Sequence, residues 1–102
     1  MSASVKMPLG GPNLGVCFGQ AVKQLREQKN WSQERLAAES DLNRTYVGEI
    51  ERGSAVPSLL TLQKLAQALG LACSALVAHS EQLTHSQTKV VGRKPPLMAI
   101  AG

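Results

Sequence analysis

The stretch WSQERLAAESDLNRTYVGEIERG, residues 31–53, limits what this chain can fold into more than any other. It contains two helix starts. Ser32 and Asn43 each offer a side-chain oxygen to the free N–H groups of a first turn. Trp31 with Leu36, and Leu42 with Val47, stand at the positions of a hydrophobic staple, which fixes how the chain enters each helix. The pattern predicts helices over 33–40 and 44–52. Asp41-Leu42-Asn43 forms a tight polar turn between them, and Gly53 stops the second. Leu36, Ala37, Val47 and Ile50 face inward. Arg44, Thr45, Gly48, Glu49 and Arg52 fall on other faces, with Tyr46 at a boundary. The second helix therefore begins with side chains suited to touching something outside the fold.

The rest of the chain supplies helices to pack against this pair. Phe18, Val22 and Leu25, joined by Ala21, form one apolar stripe and predict a helix over 16–28, weakened by Gly19. Ser58 caps a fourth helix over 59–69, whose stripe of Leu59, Leu62, Leu65, Ala66 and Leu69 is the strongest in the chain. A fifth, over 73–83, carries Leu76, Val77 and Leu83, with Ala72 a poor cap. Alternating strand patterns and hairpin dipeptides are missing. The expectation is an all-α, five-helix domain over 15–83, between a flexible N-terminal arm (1–14) and a flexible C-terminal tail (84–102).

Charge and composition narrow the function classes. In 102 residues one modest core is expected, without room for a second, ligand-sensing domain. Residues 16–83 carry seven basic and seven acidic side chains, so the net charge of +4 comes from Lys6, Lys89, Arg93 and Lys94 in the arms. Any field for a polyanion must come from how charges are segregated between faces. Cys17 and Cys73 form no CxxC pair and read as reduced, partly buried apolar residues. His79 and His85 lie off any standard ligand spacing, with no carboxylate pair or nucleophile beside them. No metal, cofactor or enzymatic activity is expected. The first residues carry one lysine and no apolar h-region, so a secretory signal is not expected; with no apolar run of the ~20 residues that a membrane span needs, a cytoplasmic protein is expected.

Taken in order, these pieces resemble the lambda-repressor-like, or Xre-type, helix-turn-helix family over residues 18–83. Ser32-Gln33-Glu34 with Leu36-Ala37, the segment from Asn43 to Gly53, Pro57-Ser58-Leu59, and Leu65-Ala66-Gln67-Ala68-Leu69-Gly70 carry the resemblance together. The Arg44-Thr45-Tyr46 start is also similar to that of the small controller proteins of restriction–modification systems. Arg35 departs from the pattern by standing where the family often has an acid. The tail after Leu83 has no counterpart in it.

The resemblance implies a second helix of the pair that docks in the major groove of double-stranded DNA and reads bases with its first turn. Arg44 can donate twice to guanine O6 and N7, or clamp a phosphate instead. Thr45 can meet a thymine methyl or a phosphate. Asn43 is divided between base contact and its own cap. Gly48 would admit close approach on the exposed side, and Glu49 can accept from cytosine N4 or discriminate against wrong bases. Gln33 and Ser32, at the first turn of the preceding helix, together with Arg52, are expected on backbone phosphate. Tyr46 can offer its hydroxyl to phosphate or cover the core edge. Arg26 and Glu51 match positions that form a structural ion pair in the family.

Two such domains usually read half-sites ~34 Å apart. A homodimer through Leu76, Val77 and Leu83 is expected, on a palindromic operator. The alternative is an antitoxin whose tail, from Ser86 onward, binds a protein toxin while the domain regulates its own operon.

Overall fold

The computed structural model describes residues 13–89. They form five helices: α1 (Leu14–Gln28), α2 (Gln33–Ser40), α3 (Arg44–Arg52), α4 (Leu59–Leu69) and α5 (Cys73–Lys89). Four of them begin on a side-chain cap, three at the expected residues Ser32, Asn43 and Ser58 and one at Asn13. Asn13, Ser32, Asn43 and Ser58 each accept a hydrogen bond from the backbone N–H three residues on. Such a cap stabilises a helix by about 1 kcal/mol.

Asn13 moves the start of α1 to Leu14, earlier than the apolar stripe indicates, because a cap acts before the first buried residue. At the other end α5 runs to Lys89, past the expected boundary at Leu83. Polar residues such as Gln82 and Thr84 continue a helix without marking it by periodicity. The expected arm therefore overlaps the fold at its last residues and otherwise lies, as residues 1–12, outside the described residues. The tail overlaps it through Lys89, and its remainder, 90–102, lies outside them too. Among the described residues no single helix is long and apolar enough to cross a membrane.

The core gathers around α1. Phe18, Ala21 and Val22 from α1 meet Leu36 and Ala37 of α2, Val47 and Ile50 of α3, Leu65, Ala66 and Leu69 of α4, and Leu76 of α5. Burying one large aliphatic side chain is worth about 1.5–3 kcal/mol, so these contacts dominate what holds the bundle. Trp31, Leu42, Leu62 and Leu83 pack against the cluster from the side. Thr61 and Ser80 are buried among them, and the Ser80 hydroxyl donates back to the Leu76 carbonyl at 2.9 Å.

Two expectations change here. Leu59 does not join the stripe of α4: it is 83% exposed, and Leu60 is 59% exposed. Periodicity gives the direction in which a side chain points but not how far the neighbouring helices reach, and the first turn of α4 stands proud of them. Leu76 is fully buried inside the single chain. It completes the core and is not available to a partner.

Gly19 has a different role from the one its helix propensity suggests. A Cβ built there would lie 2.1 Å from the Ile50 carbonyl oxygen and 2.9 Å from that of Glu51. The bare Cα is what lets α1 press directly on the C-terminal turn of α3.

Candidate nucleic-acid interface

The C-terminal half of α3 is fixed by one carboxylate. Glu51 accepts hydrogen bonds from Arg26 Nε at 2.7 Å, Arg26 Nη2 at 3.0 Å and Gln33 Nε2 at 2.9 Å. Arg26 Nη1 donates in turn to the Trp31 carbonyl at 2.8 Å. The structure thus brings Arg26 and Glu51 together as a bidentate pair, with side chains 10% and 2% exposed. The hydrogen bond to Glu51 raises the Arg26 pKa above its ordinary value against the opposing effect of burial. The guanidinium stays charged at every accessible pH. Helices α1, α2 and α3 and the turn before α2 all meet at this group, so the orientation of α3 is not free to drift.

What α3 presents on its outer side follows from helical spacing. Arg44, Gly48 and Arg52 recur every four residues and share a face. Gly48 lies under the side chains of its neighbours rather than on an open surface. It is buried, and an added Cβ would sit 3.3 Å from Arg52 Nη1 and 3.7–3.8 Å from the Gln33 amide. The physical reason is the missing side chain itself, which lets Gln33 and Arg52 fold down over the helix. The result is one polar patch made from α2 and α3, with Arg52 exposed and without an ion-pair partner among the described residues.

The remaining candidates divide between exposed and committed groups. Arg44 is exposed at the first turn of α3, and its Nε donates to Glu34 Oε2 at 3.0 Å. Thr45 beside it is exposed. The Asn43 side-chain oxygen accepts from Tyr46 N–H at 2.8 Å, which commits it to the cap. The Ser32 hydroxyl oxygen likewise accepts from Arg35 N–H at 2.9 Å. Tyr46 packs against the core, its hydroxyl 3.4 Å from Thr61 Oγ1 at the junction with α4. Glu49 is half-buried, with its backbone carbonyl receiving the Ser54 N–H and hydroxyl. Val77 and Leu83 of α5 are half-buried, and Leu83 packs on the core.

Two features escape sequence reading. Glu34 and Arg44 are ten positions apart on different helices, so no helical spacing relates them; only the turn at Asp41 brings them together. Trp31 carries Lys29 over its ring at 5.2 Å and Arg35 at 4.7 Å. That grouping leaves a signal in the sequence, since both cations lie within four residues of the one tryptophan, but helix capping alone does not reveal it.

A sequence profile described as "Helix-turn-helix" matches residues 22–76, more than half of the chain. The control protein C.BamHI of Bacillus amyloliquefaciens is 50% identical over 60 residues, covering 58% of this chain and 74% of that protein. The chain belongs to the helix-turn-helix family. In three dimensions, this helix-turn-helix domain is similar to the restriction–modification controller protein C.AhdI of Aeromonas hydrophila. The TM-score is 0.58 at 48% identity, over 60% of this chain and 92% of that one. It is also similar to SinR, a master regulator for biofilm formation solved in complex with DNA. There the TM-score is 0.56 at 31% identity, over 59% and 97% of the two chains. In this family setting α2 and α3 are the helix-turn-helix pair, and α3 is the helix whose exposed first turn carries Arg44 and Thr45.

Proposed function

We propose that the protein is a transcriptional regulator that binds a palindromic operator in double-stranded DNA as a homodimer, with α3 in the major groove. The observation that carries this reading is the contrast along α3. Its C-terminal turn is locked by the Arg26–Glu51–Gln33 network, while its first turn holds Arg44 and Thr45 in solvent. Base reading needs side chains held at a fixed orientation and otherwise free to bond, and this helix supplies both. Arg44 and Thr45 then face base edges. Gln33 and Arg52 serve backbone phosphate: one Gln33 N–H faces Glu51, which leaves its second N–H and carbonyl oxygen for other partners. Asn43, Ser32, Gly48 and Tyr46 act by shaping the motif. The similar controller proteins and SinR support the class. The reading assigns the chain no catalytic role and places it in the cytoplasm, on the nucleoid.

The contact between copies is the exposed apolar side chains of the α3–α4 connection and the first turn of α4. Val56 and Leu59 are each 83% exposed, and with Leu60 and Leu14 they are the large apolar side chains left in solvent among the described residues. Leu76 is excluded by its burial, whereas half-buried Val77 lines the same groove as Val56 and Leu59.

Selection of bound sequences from a random DNA pool tests the whole reading. A two-fold symmetric motif is expected, with binding that weakens steeply as salt rises, because phosphate contacts release counterions. Binding indifferent to both sequence and salt sinks it. Sedimentation of Leu59→Glu tests the dimer face. The variant should be a folded monomer, and a persistent dimer puts the interface elsewhere.

A further inference from the structure

An acid stands where the domain is to meet a polyanion. Glu34 lies in the first turn of α2, next to Gln33, with its side chain 68% exposed. Its pKa is held below the ordinary carboxylate value, first by its backbone N–H, with smaller contributions from Arg44 and from the Ser32 hydroxyl against a desolvation cost. At neutral pH it is therefore an anion on the side of the protein that carries Gln33 and Arg44. Repulsion from phosphate makes such a group costly for DNA affinity. An exposed pair of this kind contributes little to stability, so the fold does not depend on the contact between Glu34 and Arg44.

The geometry of that contact is specific. Glu34 Oε2 takes the Nε–H of Arg44, at 3.0 Å, and leaves both terminal nitrogens of the guanidinium unused by the pair. Those two nitrogens are the ones that can donate side by side to O6 and N7 of a guanine. A long arginine without this tether samples many rotamers and reaches neighbouring phosphates as readily as a base edge.

We infer that Glu34 is a specificity-determining positioning residue: it holds Arg44 by Nε, aims its two terminal nitrogens at a base, and by its charge disfavours the phosphate-bound alternative. This rests on the reading of Arg44 as a base-contacting side chain. Glu39 provides the matched control. It pairs with Arg35 at 2.8 Å on the same helix, with the Arg35 side chain 54% and the Glu39 side chain 43% exposed, and it forms no ion pair with Arg44.

The experiment compares the wild-type chain with Glu34→Gln, Glu39→Gln and Arg44→Ala. Each is titrated with its selected operator and with operators substituted at each guanine, at two salt concentrations. The wild type should discriminate at one guanine per half-site, and Arg44→Ala should lose that discrimination. Glu34→Gln should bind substituted operators more tightly than the wild type does, lowering the preference at that guanine by roughly three- to tenfold. Its salt dependence should steepen as Arg44 turns to phosphate. Glu39→Gln should leave the preference unchanged. In NMR spectra of the free protein, the Arg44 Nε–H should be slow to exchange in the wild type and fast in Glu34→Gln. If Glu34→Gln and Glu39→Gln both leave the preference intact, Glu34 is only a surface charge and the inference is wrong. If Arg44→Ala weakens all operators equally, Arg44 is a phosphate contact and the role of Glu34 falls with it. A wild type without sequence preference removes the DNA-reading function itself.

Discussion

The two ends of α3 are held in opposite ways. At the C-terminal end, Gly19 lies against the Ile50 and Glu51 carbonyls, and the Glu51 carboxylate accepts three hydrogen bonds from Arg26 and Gln33 in a buried setting. At the N-terminal end, Asn43 caps the helix, and Arg44 meets Glu34 in an exposed pair. Both ends contain an arginine–carboxylate contact at hydrogen-bonding distance, yet the two are energetically unlike. In the buried pair, loss of one partner leaves a charge without water or counter-charge. In the exposed pair water replaces whichever partner is lost. A short helix can therefore be rigid as a body and still present side chains to solvent, provided that the ion pair at one end is desolvated and the one at the other end is not.

The largest expected effect is on the buried end. Arg26→Met should destabilise the fold by about 3–5 kcal/mol by leaving Glu51 uncompensated. The double variant Arg26→Met, Glu51→Leu should recover most of that loss. Chemical denaturation measures both, and a single variant as stable as the wild type would erase the contrast between the ends.

Gly19→Ala comes next. Its Cβ would overlap the Ile50 carbonyl, so α1 and α3 must move apart, at a cost of about 3 kcal/mol. Helix propensity alone predicts the opposite sign, since alanine is favoured over glycine by about 1 kcal/mol in a helix interior. Thermal unfolding decides between them.

At the exposed end, Arg44→Ala should change stability by no more than about 0.5 kcal/mol. It should still remove about 1–3 kcal/mol of discrimination at one base pair. A large stability loss would mean that the exposed pair is structural after all.

Asp41→Gly acts on the turn that delivers this end. Asp41 adopts φ 58° and ψ 46°, a left-handed conformation that glycine accepts without strain. Its contact with Lys64, at 3.5 Å with the carboxylate 94% exposed, is weak. A gain of roughly 0.5–1 kcal/mol is expected in the same unfolding assay.

The smallest effect is with pH. The folded-state pKa of Glu34 is depressed, so the stabilisation it provides is complete above the ordinary carboxylate value. It fades as pH falls through the lower, folded-state value, at which point the carboxyl is protonated and the tether on Arg44 weakens. Following the Glu34 carboxyl carbon by NMR should show a midpoint below that of a free glutamate. A midpoint above it reverses the sign.

Much of this architecture is legible in the chain. Ser32, Asn43 and Ser58 mark their helices because capping is a local chemistry of a side chain and the turn it precedes. The same holds for the stops at Gly53 and Gly70, both at φ 79°. The inward faces of α2 and α3 follow from spacing alone. The Arg26–Glu51 pair was accessible only through family resemblance, since 25 positions separate the two residues.

Tertiary structure decided the rest, for reasons that no local pattern contains. Whether a leucine on an apolar face is core or surface depends on what neighbouring helices cover, and that sends Leu76 inside and leaves Leu59 out. Whether a glycine is a weak point or a requirement depends on the distance to another backbone, which makes Gly19 and Gly48 contact residues. Whether an acid is a bystander or a partner depends on the turn that carries it across to another helix, which joins Glu34 to Arg44. Local capping and helical spacing set α2, α3 and α4 and with them the motif. The packed fold decided that the C-terminal end of α3 is buried and that its N-terminal end stays exposed.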